Sequence, residues 1–185
     1  MWRPARLRQA ADLLRAGGLI AYPTEAVYGL GCDPFDRLAV ERLCRLKQRS
    51  LKAGLILIAA DLAQLPGWID PGETEWQRLS EVSAVPTTWV VKAGPLAGNW
   101  ITGGRTTIAV RISQHALARE LCTELGSPLV STSANRRGRR PARDTRSVRQ
   151  WFGADIDLIL PGPTGGVSRP SAIRVAATGE QLRSN

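Results

Sequence analysis

The sequence predicts an α/β fold: a single domain in which a twisted sheet of mixed parallel and antiparallel strands is flanked by helices and carries a basic cleft. Three observations lead there. Apolar residues recur at helical spacing in some segments and in short unbroken or alternating runs in others, and the two kinds interleave without a strict strand–helix–strand rhythm. The 185 residues, 43% of them hydrophobic, suit one domain over 1–185 with an ordinary core. The net charge of +9 asks for a polyanion, nucleotide or nucleic acid as partner.

In chain order, Leu7, Ala10, Ala11 and Leu14 mark a helix that Gly17-Gly18 ends before the strand Leu19-Ile20-Ala21-Tyr22. A second helix runs from about Arg37 to Lys47, with Leu38, Val40, Leu43, Cys44 and Leu46 on its apolar side. The unbroken run 54–60 reads as a central strand covered on both faces. Glu73 to Glu81 is helical in pattern, Trp89-Val90-Val91 is strand-like, and Thr106 to Ile112 alternates as a strand does. Helices are expected at about Gln114 to Leu125 and Thr145 to Phe152. Strands are expected at Pro128-Leu129-Val130, Leu158-Ile159-Leu160 and Ala172 to Val175.

Several function classes drop out early. Cys32, Cys44 and Cys122 are odd in number and lack metal spacing, which points to a reducing compartment and buried thiols. Arg3, Arg6 and Arg8 precede only a short apolar stretch broken by Asp12 and Arg15, and nowhere do 18 apolar residues run together. A soluble, cytoplasmic protein without a membrane partner is expected. No Walker loop and no GxGxxG occurs, so any nucleotide is bound by another architecture.

The chemistry-bearing residues fall in six places. Ser131-Thr132-Ser133-Ala134-Asn135 is expected where a buried strand runs out, and Arg136 to Arg149 beyond it holds seven arginines against the single acid Asp144. Hydroxyls and an amide beside such a field suit a phosphorylated ligand, although turn chemistry alone also favours these residues. Pro23 to Gly31 is either a ligand-facing loop or a hairpin with Glu25 in solvent and Tyr28 in the core. Lys47-Gln48-Arg49 ends a helix, where the helix dipole by itself favours cations. Arg111 closes an otherwise apolar strand begun by Thr107, so its charge must be paired or reach a cleft. His115, the one histidine, forms no obvious triad. Gly162 to Gly166 predicts a mobile loop before Pro170-Ser171-Ala172-Ile173-Arg174.

In this order, Tyr22 to Pro34, Leu46 to Arg49, Gly54 to Ile58, Ala109-Val110-Arg111, Ser131 to Asn135 and Pro170 to Arg174 resemble the YrdC/TsaC family of threonylcarbamoyl-AMP synthases, in its short bacterial form. The resemblance runs from the first helix to Arg183. Three departures stand out: Ser50 after Lys-x-Arg in place of Pro, Ala84-Val85-Pro86-Thr87-Thr88 in place of Pro-Gly-Pro-x-Thr, and the more basic Arg136-Arg137-Gly138-Arg139-Arg140. The resemblance implies an enzyme that makes threonylcarbamoyl-AMP and pyrophosphate from L-threonine, bicarbonate or CO2, and ATP with Mg2+. The adenylate would feed modification of the adenosine next to the anticodon in tRNA, through downstream transferase machinery, with tRNA or RNA able to meet the basic cleft.

The same resemblance assigns Lys47, Arg49 and Arg111 to charge neutralisation and Thr24, Arg111, Ser131 and Ser171 to threonine. Lys47, Arg49, Thr107, Ser133, Asn135 and Arg143 are assigned to the nucleotide, with no protein metal ligands. Two rivals are a non-catalytic RNA-binding module, resting on the charge and the arginine run, and a serine hydrolase using Ser133, which lacks a nucleophile elbow.

Overall fold

The computed structural model describes residues 4–81 and 85–183; Arg3 and Ala84 of the sequence reading lie outside them. The elements are α1 (Pro4–Arg15), β1 (Ile20–Pro23), β2 (Tyr28–Cys32), α2 (Arg37–Lys47), β3 (Ile56–Ala59), α3 (Glu73–Ser80), β4 (Thr87–Lys92), α4 (Asn99–Thr102), β5 (Thr107–Ile112), α5 (Ala116–Leu125), β6 (Leu129–Ser133), α6 (Thr145–Phe152), β7 (Leu158–Ile159), β8 (Ala172–Val175) and β9 (Gln181–Arg183). The strands form one sheet in the order β7-β1-β2-β6-β3-β5-β4-β8-β9. β1–β7, β3–β5 and β4–β8 are parallel pairs and the others are antiparallel, as the mixed sheet required.

The apolar run at 54–60 becomes β3, the middle strand, and its alternate side chains enter different layers. Ile58 packs with Leu129, Ile20, Leu14 and Leu121 beneath α1 and α5. Leu57 packs with Val130, Val110, Leu43 and Phe152 on the opposite face. All ten of these side chains are essentially buried, each stabilising the fold by roughly 1.5–3 kcal/mol relative to exposure.

Two local devices position the site. α2 starts at Asp36, whose carboxylate accepts from the Ala39 amide at 3.0 Å, and stops where Gln48 turns left-handed at φ 51°. That turn sends Lys47 inward and lets Arg49 continue along the surface. Ser50, the first departure from the family pattern, caps the short turn Leu51–Ala53 by accepting from the Lys52 amide.

β1 and β2 form the hairpin that one reading of Pro23 to Gly31 anticipated, and Tyr28 is in the core as that reading held. Glu25 is not in solvent; it is 4% exposed. β6 differs too: it runs on through Ser133, so Ser131 and Ser133 are strand residues, because β2 and β3 both offer it ladder partners there. α5 begins at Ala116 rather than Gln114, since the amide of Gln114 is drawn to the Glu25 carboxylate.

Candidate active site

α1 and α5 cover only part of their face of the sheet. Period-two alternation and the strand register bring Gly29, Ile56, Ala109, Arg111, Ser131 and Ser133 to that face, where the uncovered part forms a cleft of about 200 Å3. Gly29 and Gly31 keep β2 low against its neighbours. A Cβ at Gly29 would sit 3.2 Å from Tyr22 and 3.4 Å from the Ser131 hydroxyl, and one at Gly31 would sit 2.7 Å from the Val130 carbonyl. The Tyr22 hydroxyl therefore reaches across and donates to Ser131 Oγ at 2.8 Å. Burial pushes the Tyr22 phenol far above its ordinary value, so it stays a donor.

Arg111 and Glu25 form the buried centre of the cleft wall. Their closest approach is 3.5 Å, from Arg111 Nη2 to Glu25 Oε2. Glu25 Oε1 accepts from the Ser113 hydroxyl at 2.7 Å and the Gln114 amide at 2.8 Å. Burial raises the Glu25 pKa, but Arg111 and these donors outweigh it and hold the carboxyl below its ordinary value. Arg111 Nε is buried with no hydrogen-bond partner among the described residues. Such a donor is costly unless a ligand uses it.

From the far edge of the sheet come Ser171 and Arg183. The Ser171 hydroxyl shares a 2.9 Å hydrogen bond with Thr88 Oγ1, and Arg183 Nη2 donates to the Ser171 carbonyl at 2.8 Å. The Arg183 pKa is lowered by burial and by Arg111 nearby. Arg49 donates to the Gly54 carbonyl at 2.7 Å, and Thr24 Oγ1 donates to the Val27 carbonyl at 2.7 Å. The cleft wall thus holds four arginines (Arg49, Arg111, Arg169, Arg183) and one acid, Glu25.

Of the residues expected from the sequence, Thr24, Arg49, Arg111, Ser131, Ser133 and Ser171 line this cleft. Four do not. Lys47, 6% exposed, donates to the Ser133 carbonyl, the Asn135 carbonyl at 2.6 Å and Asn135 Oδ1 at 2.7 Å. Its three protons are used in holding the turn behind the cleft. Burial first and Arg49 second push its pKa down to about 8. Asn135 is the hub of that turn, also accepting from Ser133 Oγ at 2.6 Å and donating to the Arg139 carbonyl at 2.7 Å. Thr107 shares the face of Arg111 but begins β5, roughly 13 Å back along the strand.

Arg143 donates to the Ser168 carbonyl at 2.7 Å. It thereby helps fasten the segment 162–169, which the glycines had suggested was mobile. That segment is tied down by Gly165 N to Thr24 O and Val167 N to Glu25 O, both 3.0 Å, and by the Tyr28 hydroxyl on Gly162. Gly165 is needed because a Cβ there would meet the Glu25 backbone at 3.1 Å.

Tyr22, Glu25, Thr88, Arg169 and Arg183 were not picked out by sequence reasoning. For Glu25 a signal existed, an acid inside an otherwise apolar and hydroxylic loop. The serine hydrolase reading fails, since Ser133 donates to Asn135 and His115 turns its Nε2 to the Pro163 carbonyl at 3.1 Å. Among the described residues no cluster of three or more His, Cys, Asp or Glu could hold a metal ion. Nor is any described helix long and apolar enough to cross a membrane.

A cleft in which arginines and hydroxyls surround an unpartnered guanidinium nitrogen can bind a small anion and an attached phosphate chain. The family model described as "Telomere recombination", Sua5/YciO/YrdC, matches residues 12–184. The chain belongs to the Sua5/YciO/YrdC family. Within this family, a threonylcarbamoyl-AMP synthase of Halorhodospira halophila is 50% identical over 182 residues, 98% of this chain and 95% of its own. Another, from Nitrosococcus oceani, is 49% identical over 96% of this chain and 97% of its own. The crystal structure of P. abyssi Sua5 complexed with L-threonine superposes with a TM-score of 0.87 at 30% identity, covering 94% of this chain and 51% of that one. This chain therefore spans about half of the Sua5 protein. The family fold also recurs in E. coli YciO, with a TM-score of 0.83 at 26% identity over 94% of this chain and 84% of that one.

Proposed function

We propose that this chain is a threonylcarbamoyl-AMP synthase, a nucleotidyltransferase joining L-threonine, bicarbonate or CO2 and the AMP part of ATP. The observation that carries the reading is the buried Arg111, whose Nε lacks a partner among the described residues in a cleft walled by hydroxyls and further arginines. Two relatives of about 50% identity that bear this name support it.

In this reading threonine lies against Ser131, Ser171, Thr24 and Arg111. Its amine attacks CO2, forming the N–C bond of a carbamate and releasing a proton. A carbamate oxygen then attacks the α-phosphorus of ATP, an O–P bond forms, and pyrophosphate leaves as the bond to the β-phosphate oxygen breaks. Attacking carbamate and triphosphate are both anionic, so the step is held back by repulsion that Arg111, Arg49, Arg169 and Arg183 offset in a partly dehydrated wall. No side-chain nucleophile is required, and positioning supplies much of the rest.

Lys47 takes a revised role. With all three protons on Ser133 and Asn135, it acts by fixing the turn that presents Ser133 rather than by touching phosphate. Arg143 likewise acts through the 162–169 segment. Mg2+ would arrive with ATP, held by phosphate oxygens and water as part of the substrate. The product would serve tRNA modification beside the anticodon, in the cytoplasm.

The test is pyrophosphate release by the purified chain with mass spectrometry of the product. Release should need threonine and bicarbonate together, and the threonylcarbamoyl-adenylate mass should appear. Equal release without threonine would overturn the reading.

A further inference from the structure

Ser131 and Ser133 stand two residues apart on one face of β6, yet they present opposite hydrogen-bonding character to the cleft. Ser133 Oγ donates its one proton to Asn135 Oδ1 at 2.6 Å, and that carbonyl oxygen cannot donate in return. Ser133 is left with lone pairs and can only accept.

Ser131 is set the other way. Its partner is the Tyr22 phenol, 2.8 Å distant, and both side chains are buried, Tyr22 completely. Of the two hydroxyls only one can give its proton to the other, and the surroundings of the phenol decide which. No second acceptor for the Tyr22 hydroxyl exists among the described residues, and burial keeps the phenol protonated by raising its pKa far above the ordinary value. Were Ser131 the donor, the phenol proton would lie in the core without an acceptor, a costly arrangement. Tyr22 therefore donates, and Ser131 Oγ keeps its own proton for the cleft, which it lines together with Arg111.

We propose that Tyr22 is a positioning residue: by donating to Ser131 it commits that serine as a hydrogen-bond donor toward the carboxylate of threonine. A carboxylate only accepts, so it suits a donor hydroxyl and Arg111, whereas an ammonium group needs an acceptor such as Ser133. Ser171 makes the contrast. Its bond to Thr88 Oγ1 can run in either direction, so Ser171 can donate or accept as a ligand requires. Tyr22 touches no substrate and acts through Ser131. This role rests on the synthase reading, in which threonine is the ligand.

Threonine-dependent pyrophosphate release by the full chain tests it, with KM and kcat measured separately for threonine and for ATP. Tyr22→Phe keeps the ring and removes the proton, so Ser131 is no longer held as a donor. The threonine KM should rise about 3- to 10-fold, the size of one hydrogen bond, with kcat and the KM for ATP within about twofold of wild type. In a Ser131→Ala background Tyr22→Phe should change kcat/KM for threonine no further, because the phenol acts only through that hydroxyl. Tyr22→3-fluorotyrosine, which keeps the donor and nearly the shape, should retain the wild-type KM. If Tyr22→Phe folds poorly, Ser131→Ala decides, since it removes the donor itself and must raise the threonine KM at least as far. An unchanged threonine KM in either variant, an equal rise in the KM for ATP, or additive effects of the two substitutions would each overturn the role, and threonine-dependent release by the wild type would leave the synthase reading standing. Release by the wild type without threonine would overturn both.

Discussion

Glu25 and Lys47 show how far single side chains govern this site, and both give pH-dependent expectations. The Glu25 carboxyl is held below its ordinary 4.5, so its contribution to stability is complete above that value and is lost as pH falls through the lowered one. Glu25→Gln leaves Arg111 buried without its counter-charge and should destabilise the fold by about 3–5 kcal/mol near neutrality. Urea unfolding should show that gap narrowing in acid; a gap independent of pH would contradict the pairing. Lys47 is displaced the other way, its pKa lowered to about 8. Only the ammonium supplies three protons for three oxygens, and the neutral amine supplies two, so one of the three bonds to the turn at Ser133 is lost as pH rises through about 8. Pyrophosphate release relative to a Lys47→Arg variant should fall as pH rises through about 8. Lys47→Ala should lose at least about 10²-fold in turnover, the order expected when a positioning contact shifts reacting groups by an ångström. Thr24, Ser131, Ser133, Ser171, Arg49 and Arg111 were legible in sequence because they stand in motifs whose residue types carry their chemistry, whereas Arg169 and Arg183, outside those assignments, were not. Glu25 was not, because its partners Arg111, Ser113 and Gln114 lie more than 80 positions away and only the folded sheet brings them together.

At the scale of elements, the site depends on how closely β1, β2 and β6 approach. Gly31→Ala would drive a methyl to 2.7 Å from the Val130 carbonyl, a backbone atom that cannot swing aside. The expected cost is about 1–3 kcal/mol, visible as a lower urea midpoint. Gly29→Ala meets only side chains, at 3.2 Å or more, and should instead raise the KM for threonine by displacing Tyr22 and Ser131. Equal unfolding midpoints for the two variants would show that the ladder spacing is not what these glycines protect. Periodicity located most elements well, including α1, α2, α6 and β3. It cut β6 short after Val130 and passed over α4 and β9. Ser131 to Ser133 look like turn residues until their ladder partners in β2 and β3 are known, and that knowledge is not local. α4 is barely one helical turn, and β9 is exposed at all three residues, so neither shows an apolar repeat or run.

Across the whole molecule, a net charge of +9 makes occupancy of the cleft a stability matter. Four arginines share a wall with one carboxylate, and an ATP that binds only the folded state would neutralise them. At about 100 times its dissociation constant, ATP should raise stability by roughly 2.7 kcal/mol. A thermal melt should move upward with ATP, less so as salt rises, and hardly at all with adenosine; an equal shift with adenosine would place the recognition on the base rather than the phosphates. The sheet order carries a further consequence, one of timing. β1, β2, β3 and β5 all precede residue 113, yet the cleft also needs Ser131 from β6, Ser171 at the head of β8 and Arg183 at the end of β9, the edge strand. A ribosome delivers the chain from its N-terminus, so during synthesis the core layers around β3 can collapse well before the last wall of the cleft exists. Until residues 171–183 emerge and β8 pairs alongside β4, the nascent protein has the cations for a nucleotide but not the hydroxyl and guanidinium that close the far side.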